Sequence, residues 1–304
     1  MLGISTCWWN DKSYRGDEIV SDVLELGFEG VELEYRITTS VFEQMKPQLN
    51  KTLAVFSIHN YFPMPEDHPA EKGSGDLFLL SSIDREERSA AVKYTIRTIE
   101  HANDLEAQVV VLHLGRVGMA NPMERFTKLH GSGEMDESEG HAFIAEQKRI
   151  REMKHRKNLD AVLHSLEKLN REAEKNGILL GIENRYNFHE IPNFEEIGRI
   201  LGEFEGGSLR YWHDVGHAAV QENLGICTQE ELLVTYSGMM IGMHLHDLRG
   251  LDDHFSPGQG QMDYGEIRNF VRETPIVILE IHSKVNRRDL LRGANFIREV
   301  ITAP

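Results

Sequence analysis

Four residues with metal-binding side chains lie close together within residues 241–260, in the sequence IGMHLHDLRGLDDHFSPGQG. The first part has the composition of a short strand, in which alternate side chains share a face, so His244 and His246 point the same way. The polar segment that follows carries Asp252 and His254, a carboxylate and an imidazole on a short tether. Because such side chains suit a divalent cation such as zinc, the stretch predicts a metal site at a strand end.

The elements that must position these side chains alternate between strand and helix. Strands are predicted at Leu2–Cys7, Gly30–Glu34, Leu53–His59, Gln108–Leu114, Ile178–Asn184, Leu209–Asp214, Ile241–His246 and Ile276–Glu280. Helices are predicted at Asp17–Leu26, Ser40–Leu49, Asp84–Leu105, from about Lys148 to Asn176, and at Phe194–Leu201, Gln229–Tyr236, Tyr264–Glu273 and Arg288–Ile301. This alternation predicts an α/β fold, a closed (β/α)8 TIM barrel, with an open doubly wound sheet as the alternative. No G-x-G-x-x-G motif follows the first strand, so the dinucleotide-binding form of that sheet has no support.

One segment, residues 116–157, interrupts the alternation and is interpreted as an insertion into a single domain spanning residues 1–304. Its polar sequence GSGEMDESEG predicts a mobile loop or lid. The basic run KRIREMKHRK, residues 148–157, is either the solvated start of a helix or a patch that faces phosphate. No second hydrophobic core is expected.

The active site of a TIM barrel lies at the C-terminal ends of its strands. Four consecutive predicted strands carry a side chain of ligand type at their last residue or one or two residues before it: Glu183, Asp214, His244 and Glu280. Lone buried carboxylates are costly, so the two glutamates that end otherwise apolar strands are the strongest candidates. The four residues predict one divalent ion, and manganese, magnesium, cobalt and zinc all fit this mixture of ligands.

Further histidines lie near the same strand ends. His59 and His113 end the third and fourth strands, and His217 lies three residues beyond Asp214. They could be additional ligands or substrate contacts, but His59 and His113 could also be packed core residues, and His217 could cap the next helix. His246 is as well spaced as His244, so spacing does not decide between them.

Positive charge also follows the strand ends, at Arg36, Arg116, Arg185, Arg249 and Lys284. These cations could bind a phosphate or carboxylate of a substrate. Alternatively, they neutralise the carboxylates of the site. The sequence leaves both interpretations open.

Composition sets the broad class of the protein. The 304 residues are 40% hydrophobic and 27% charged, which is typical of a globular domain, and no apolar run is long enough to cross a membrane. The net charge of −16 argues against a surface that binds nucleic acid throughout. The only cysteines, Cys7 and Cys227, have no metal-binding spacing, and no secretory signal is recognisable. We therefore expect reduced cysteines and a cytoplasmic location.

Five motifs together resemble the xylose isomerase-like TIM-barrel superfamily: IENR at Glu183, HDVGHA at Asp214, HLHD at His244, DDHFSPGQGQMDY after it, and LEIH at Glu280. The superfamily contains sugar isomerases and epimerases, and also apurinic endonucleases of the endonuclease IV type (AP endonuclease family 2). The resemblance extends over nearly the whole chain. It identifies the superfamily but not one activity.

The two branches imply different sites. In the epimerase branch, Glu183, Asp214, His244 and Glu280 would hold one metal, both glutamates would move protons, and His217 would contact the substrate. In the endonuclease branch, three zinc ions would be held by nine residues: His59, His113, Glu183, Asp214, His217, His244, Asp252, His254 and Glu280. The chain departs from the endonucleases in its acidity and its 116–157 insertion, and from the epimerases in the loop that begins at Asp252.

The preferred hypothesis is a divalent-metal-dependent isomerase or epimerase of a sugar or sugar phosphate, working by proton transfer through an enediolate. Arg249, Arg185 and Arg116 are the candidate substrate-binding cations. The alternative is an endonuclease IV-like zinc phosphodiesterase that acts on abasic DNA, and a third possibility is a sugar-binding barrel without turnover. A small sugar is the expected partner, and a homo-oligomer is possible.

Overall fold

The structure is a computed structural model that describes residues 1–10 and 14–302. Eight strands pair in parallel in the order β1-β10-β7-β6-β5-β4-β3-β2, which closes the sheet. These barrel strands are β1 Leu2–Ser5, β2 Gly30–Leu33, β3 Ala54–His59, β4 Val109–Leu112, β5 Leu179–Glu183, β6 Leu209–Asp214, β7 Met240–Leu245 and β10 Ile276–Leu279. The predicted TIM barrel is therefore confirmed, and the open sheet is excluded. None of the described helices is both long enough and apolar enough to cross a membrane.

Ten α-helices surround the strands in the described part of the chain. They are α1 Gly16–Glu25, α2 Thr39–Met45, α3 Arg85–Asp104, α4 Met123–Ser132, α5 Ser138–Asn176, α6 Phe194–Glu203, α7 Val215–Asn223, α8 Gln229–Tyr236, α9 Arg268–Glu273 and α10 Arg287–Thr302. Helix α2 begins earlier than predicted because Thr38, rather than Ser40, is the N-cap and accepts a hydrogen bond from the main chain of Val41.

Two elements at the carboxyl end of the barrel were not predicted. Helix α7 begins directly after β6, and the Oδ1 atom of Asp214 caps it by accepting the main-chain N–H of His217 at 2.7 Å. A short antiparallel hairpin, β8 Asp247–Arg249 and β9 Asp252–Phe255, follows β7. Both elements are short, and in the hairpin charged residues and His254 replace the apolar pattern that would reveal a strand.

The 116–157 segment is mainly helical, and of the stretch GSGEMDESEG, predicted as a loop, only residues 133–137 connect two helices while its two ends are helical. Helix α4 forms within it, and α5 is a continuous helix of 39 residues. The basic run therefore lies inside α5 rather than at its start. Arg151 of this run is buried and forms a bidentate salt bridge with Glu196, at 2.7 and 2.9 Å. Its partner is a protein carboxylate, so Arg151 does not face an exposed phosphate.

The lower part of the barrel is filled by large side chains. Phe56 and Trp212 lie there with aliphatic residues of β4 and β10. Two glycines make room for the aromatic rings, because a Cβ at Gly30 would lie 2.6 Å from Phe56 and one at Gly242 would lie 2.1 Å from Trp212. The packed interior leaves the carboxyl ends of the strands as the place for a site.

A separate small hydrophobic cluster lies beyond the carboxyl ends of the strands. Its members come from α4, the start of α5, α7, the loop after β5, and β8: Met123, Phe126, Leu129, Met135, Ile144, Phe188, Ala219, Val220, Leu224 and Leu248. Met119 and Met262 pack against both this cluster and the main core, so the cluster belongs to the same single domain. The cluster fixes α4 and the start of α5 beside the mouth of the barrel.

Candidate metal centre

The four predicted metal ligands converge in one buried group. Ligand atoms of Glu183, Asp214, His244 and Glu280 all lie within 4.8 Å of one another. The Nδ1 atom of His244 lies 2.9 Å from Glu183 Oε1, 3.2 Å from Glu280 Oε2 and 3.6 Å from Asp214 Oδ2. One ring nitrogen cannot satisfy three carboxylates, so this space favours a larger positive charge than one proton supplies.

Glu32 of β2, which was not predicted, sets the orientation of His244. Both oxygens of its carboxylate lie 3.0–3.1 Å from Nε2 of His244, and Ser57 Oγ donates to Glu32 Oε2 at 2.8 Å. Glu32 therefore accepts the Nε2–H of His244 and leaves Nδ1 facing the three carboxylates. In metal sites a carboxylate usually accepts the hydrogen bond from the histidine nitrogen that faces away from the metal, which orients the ring.

His246 has a different role from His244, which spacing alone could not show. The main-chain N–H of His254 donates to His246 Nδ1 at 3.0 Å. His246 must then carry its proton on Nε2, which lies 3.0 Å from Asp214 Oδ1 and donates to it. The structure thus places His246 behind Asp214, where it fixes the carboxylate.

His59 and His113 form a second group with Glu183. His59 donates its Nδ1–H to the carbonyl of Asn60 at 3.0 Å, which leaves Nε2 as a free acceptor. His113 Nε2 lies 2.9 Å from Glu183 Oε2, and its Nδ1 lies 3.5 Å from Asp76. Each imidazole is thus oriented by a polar group of the chain, and both lie within reach of Glu183.

A third group contains His217, Asp253 and His254. The Asp-x-His spacing predicted that Asp252 would accompany His254, but the structure turns Asp252 outward, where its carboxylate is 67% exposed and pairs with Lys284 at 2.7 Å. Asp253 lies at the site instead, 2.8 Å from His254 Nδ1. His254 has a φ of 59°, which breaks the strand alternation that the spacing argument assumed.

Buried carboxylates dominate the electrostatics of the centre. Burial and Arg185 lower the pKa of His113, but Asp76 and Glu183 raise it to about 9. Burial also lowers the pKa of His254, and Asp253 and Glu280 raise it to about 10. A divalent cation would supply the same positive charge, so its binding would release protons.

His59 differs from the other imidazoles of the centre. Burial, together with the neighbouring His113, lowers its pKa to about 4. The ring is therefore neutral at physiological pH, with its Nε2 lone pair available. A neutral imidazole is the form that binds metal ions.

The three predicted substrate-binding arginines lie in different environments. Arg185 is buried and pairs with Glu183 and Glu190, so in this structure it neutralises the site. Arg249 is exposed, and its guanidinium lies 4.5 Å from the centroid of the Phe255 ring. Arg116 is exposed as well.

A buried carboxylate that the sequence did not single out holds the loop beyond the hairpin. Asp247 accepts four main-chain N–H groups, from Leu248, Gly258, Gly260 and Met262, at 2.8–3.0 Å. Gly260 is required there, because a Cβ would lie 2.4 Å from Asp247 Oδ1. This arrangement fixes the segment next to His254.

The donor set fits a metal ion. Each group contains at least one carboxylate and one imidazole. Glu32, Asn60 and other polar groups orient the histidines by hydrogen bonds to one ring nitrogen. Oxygen and nitrogen ligands in this mixture suit zinc or manganese and do not select one metal. Soft sulfur ligands are absent from the candidate groups among the described residues.

A closed parallel barrel with carboxylates and imidazoles gathered at its strand ends defines the class: a TIM-barrel protein with a candidate metal centre. The family described as "Xylose isomerase-like TIM barrel" matches residues 20–300, and the protein belongs to this family. No curated protein sequence matches the chain.

Solved structures with the same fold include two with epimerase names. A D-tagatose 3-epimerase-like protein is 20% identical, with a TM-score of 0.68, over 99% of this chain and 96% of its own. The 3-keto-D-glucoside 4-epimerase YcjR of E. coli is 16% identical, with a TM-score of 0.68, over 98% of each chain. The TTHB071 protein from Thermus thermophilus, soaked with ZnCl2, is 17% identical, with a TM-score of 0.61, over 98% of this chain and 97% of its own. At these identities the similarity concerns the fold.

Proposed function

We propose that the protein is a divalent-metal-dependent isomerase or epimerase of a sugar or sugar derivative. One observation carries the proposal: Glu183 and Glu280 belong to one buried ligand group, in which an oxygen of each lies within 3.2 Å of the same nitrogen, Nδ1 of His244. Two carboxylates beside one cation can remove and return a proton on a bound substrate. The epimerase names of two structural neighbours agree with this chemistry.

The two glutamates are not equivalent. Glu183 is bonded on both oxygens, by His244 on Oε1 and by Arg185 and His113 on Oε2. Glu280 uses Oε2 towards His244 and His254, and its Oε1 makes no hydrogen bond to the rest of the described chain. We therefore assign Glu280 as the base that removes the proton from the carbon beside the carbonyl, and Glu183 as the group that returns one.

A divalent metal in this group would polarise the substrate carbonyl and so make the neighbouring carbon more acidic. The chain itself supplies orientation. His217 donates its Nδ1–H to the carbonyl of Asn184 at 3.1 Å, which directs Nε2 towards Asp253 and the third group. In this proposal His217 holds a substrate hydroxyl. The cations that follow the strand ends contact the end of the substrate farthest from the metal.

The endonuclease alternative has one observation in its favour, the coexistence of four overlapping ligand groups around the same site, the fourth formed by His246, His254 and Glu280. Charge argues against it. Residues 123–147, which form α4 and the start of α5 beside the mouth, contain six acidic and two basic residues. Six basic residues follow at 148–157 on the same helix, but Arg149 and Arg151 are paired with glutamates, and the net charge of −16 on the whole chain repels a phosphate backbone. We therefore keep this function as the rival that the experiment must exclude.

The test combines metal analysis, a sugar panel in deuterated water and an abasic-DNA cleavage assay on one preparation. We expect bound divalent metal, and deuterium at the carbon next to the carbonyl of one ketose or aldose. Glu280→Gln should lose roughly 10²–10⁴-fold in turnover, because it removes the base but preserves the side-chain shape. Efficient cutting of abasic DNA with no exchange in any sugar would refute the proposal and establish the rival.

A further inference from the structure

Most cations near the mouth of the barrel are already engaged by the protein. Arg185 is buried among the carboxylates of the site. Lys284 donates from Nζ to Asp252 at 2.7 Å and to a main-chain carbonyl at 2.6 Å. Arg249 donates from Nε to the carbonyl of Gln259 at 2.9 Å and packs on an aromatic ring. Each of these contacts holds the cationic side chain in place or offsets part of its positive charge.

Arg36 and Arg116 are the exceptions. The side chain of Arg116 forms no hydrogen bond or ion pair with the described residues but is exposed, whereas Arg36 is held partly inside the protein. Throughout residues 1–10 and 14–302, no group forms a hydrogen bond with the guanidinium of Arg36, and its nearest carboxylate oxygen, Glu34 Oε2, is 3.7 Å away. The side chain is 35% exposed, so it is held partly inside the protein rather than projecting into solvent. An arginine in such a position has donors available for a ligand.

Glu34 holds the main chain that carries Arg36. Its side chain is fully buried, and its Oε1 accepts the main-chain N–H of Arg36 at 2.8 Å. Glu34 directly follows β2, two residues beyond Glu32, and is buried like it. The other oxygen of Glu34, Oε2, makes no hydrogen bond within the described chain, although no water reaches it. The nearest cation to Oε2 is the guanidinium of Arg36, at 3.7 Å, so Glu34 holds Arg36 by charge as well as through its main chain.

The location of Arg36 links it to the candidate metal centre. Its guanidinium lies 4.9 Å from the centroid of the Tyr35 ring, and that ring makes an edge contact with His59 at 5.0 Å between centroids. Glu280 is near enough to affect the pKa of Glu34. Arg36 therefore lies on the β2 side of the barrel mouth, beside the candidate metal centre.

We propose that Arg36 binds an anionic end group of the substrate, a phosphate or a carboxylate, and that Glu34 positions it. This inference rests on the proposed function, because it assigns the far end of the same substrate. A planar guanidinium with several N–H donors matches the oxygens of either group. On a chain of net charge −16, an anion is attracted only where a local cation offsets the field.

The experiment measures binding by calorimetry with three matched ketohexose probes: D-fructose, D-fructose 6-phosphate and D-fructuronate. The purified protein should bind one of the two anions roughly tenfold or more tightly than D-fructose, as charged hydrogen bonds typically provide. Arg36→Met should abolish this preference and leave the affinity for D-fructose unchanged. Arg36→Lys should keep part of it, and Glu34→Gln should weaken binding of the anion alone. Arg292→Met, which alters an arginine 73% exposed on α10, is the matched control.

Equal affinity of the wild type for all three probes, or a preference that survives in Arg36→Met, would overturn the assignment. The anion that binds more tightly than D-fructose identifies the natural end group as a phosphate or a carboxylate. Deuterium exchange on the same preparations separates this inference from the proposed function. Exchange without an anion preference refutes the role of Arg36 alone, whereas an Arg36-dependent preference without any exchange refutes the isomerase.

Discussion

Replacing Glu32 by glutamine tests whether the His244 group is a metal site, because the substitution leaves all proposed ligands in place. The amide has nearly the same volume as the carboxylate and can still accept the Nε2–H of His244. It lacks the negative charge that now lies 3.0–3.1 Å from that nitrogen on two oxygens. The imidazole therefore becomes a weaker electron donor at Nδ1, and its tautomer is less firmly fixed.

The expected magnitude follows from the contact. Loss of a carboxylate that supports a metal-binding histidine typically lowers metal affinity about 10–100-fold. This corresponds to about 1.4–2.7 kcal/mol of binding free energy. Because Glu32 is fully buried, its neutral replacement also removes a desolvation cost, so stability of the metal-free protein should not fall by a comparable amount.

The assay is competition for the metal against a chelator of known affinity, with far-UV circular dichroism to confirm the fold. Ser57→Ala is the control from the same pocket, since it removes only the neutral donor to Glu32 and keeps the charge. We expect a much smaller change for this variant. If the metal affinity of Glu32→Gln lies within twofold of the wild-type value, Glu32 does not support His244 as a metal ligand.

Two further predictions concern the structures that hold the site. Asp247→Asn should lower the free energy of unfolding by at least about 2 kcal/mol, because an amide cannot accept the four N–H groups that Asp247 accepts. Urea unfolding measures this, and an equal loss in Asp263→Asn, at an exposed position, would contradict it. Arg151→Met should cost roughly 3–5 kcal/mol, because it leaves Glu196 buried without its partner. Arg149→Met, on an exposed face of α5, should cost less than about 1 kcal/mol, and similar losses in the two variants would show that burial of the pair is unimportant.

The barrel and the four central ligand candidates could be found from the sequence because each depends on a local pattern. A carboxylate at the end of an apolar strand, as at Glu183 and Glu280, has few structural explanations. Glu32 escaped notice because it lies within a predicted strand, where alternation allows it to be an ordinary outward-facing residue. Its inward direction is fixed only when β2 pairs with its neighbours.

The errors near Asp252 and in the insertion have other physical origins. The hairpin and the positive φ of His254 accompany hydrogen bonds that strand alternation does not foresee, from His254 N to His246 and from the more distant His282 N to the carbonyl of His254. The insertion has the composition of a loop because its residues are mostly polar. Its helices are stabilised by a few buried apolar residues, Phe126 and Ile144 among them, that pack only in three dimensions.

Trp212 gives the barrel an internal optical signal. Its indole fills the space above Gly242, and its ring centroid lies 5.0 Å from that of His244. Indole emission is sensitive to the charge of an adjacent imidazole, so exchanging a proton on His244 for a metal ion changes the light emitted by Trp212. Trp8 and Trp9 contribute a separate background, since they lie in the outer core and contact each other. Comparing the chain with a Trp212→Phe variant isolates the inner signal, which makes occupancy of the centre measurable in real time without an added dye.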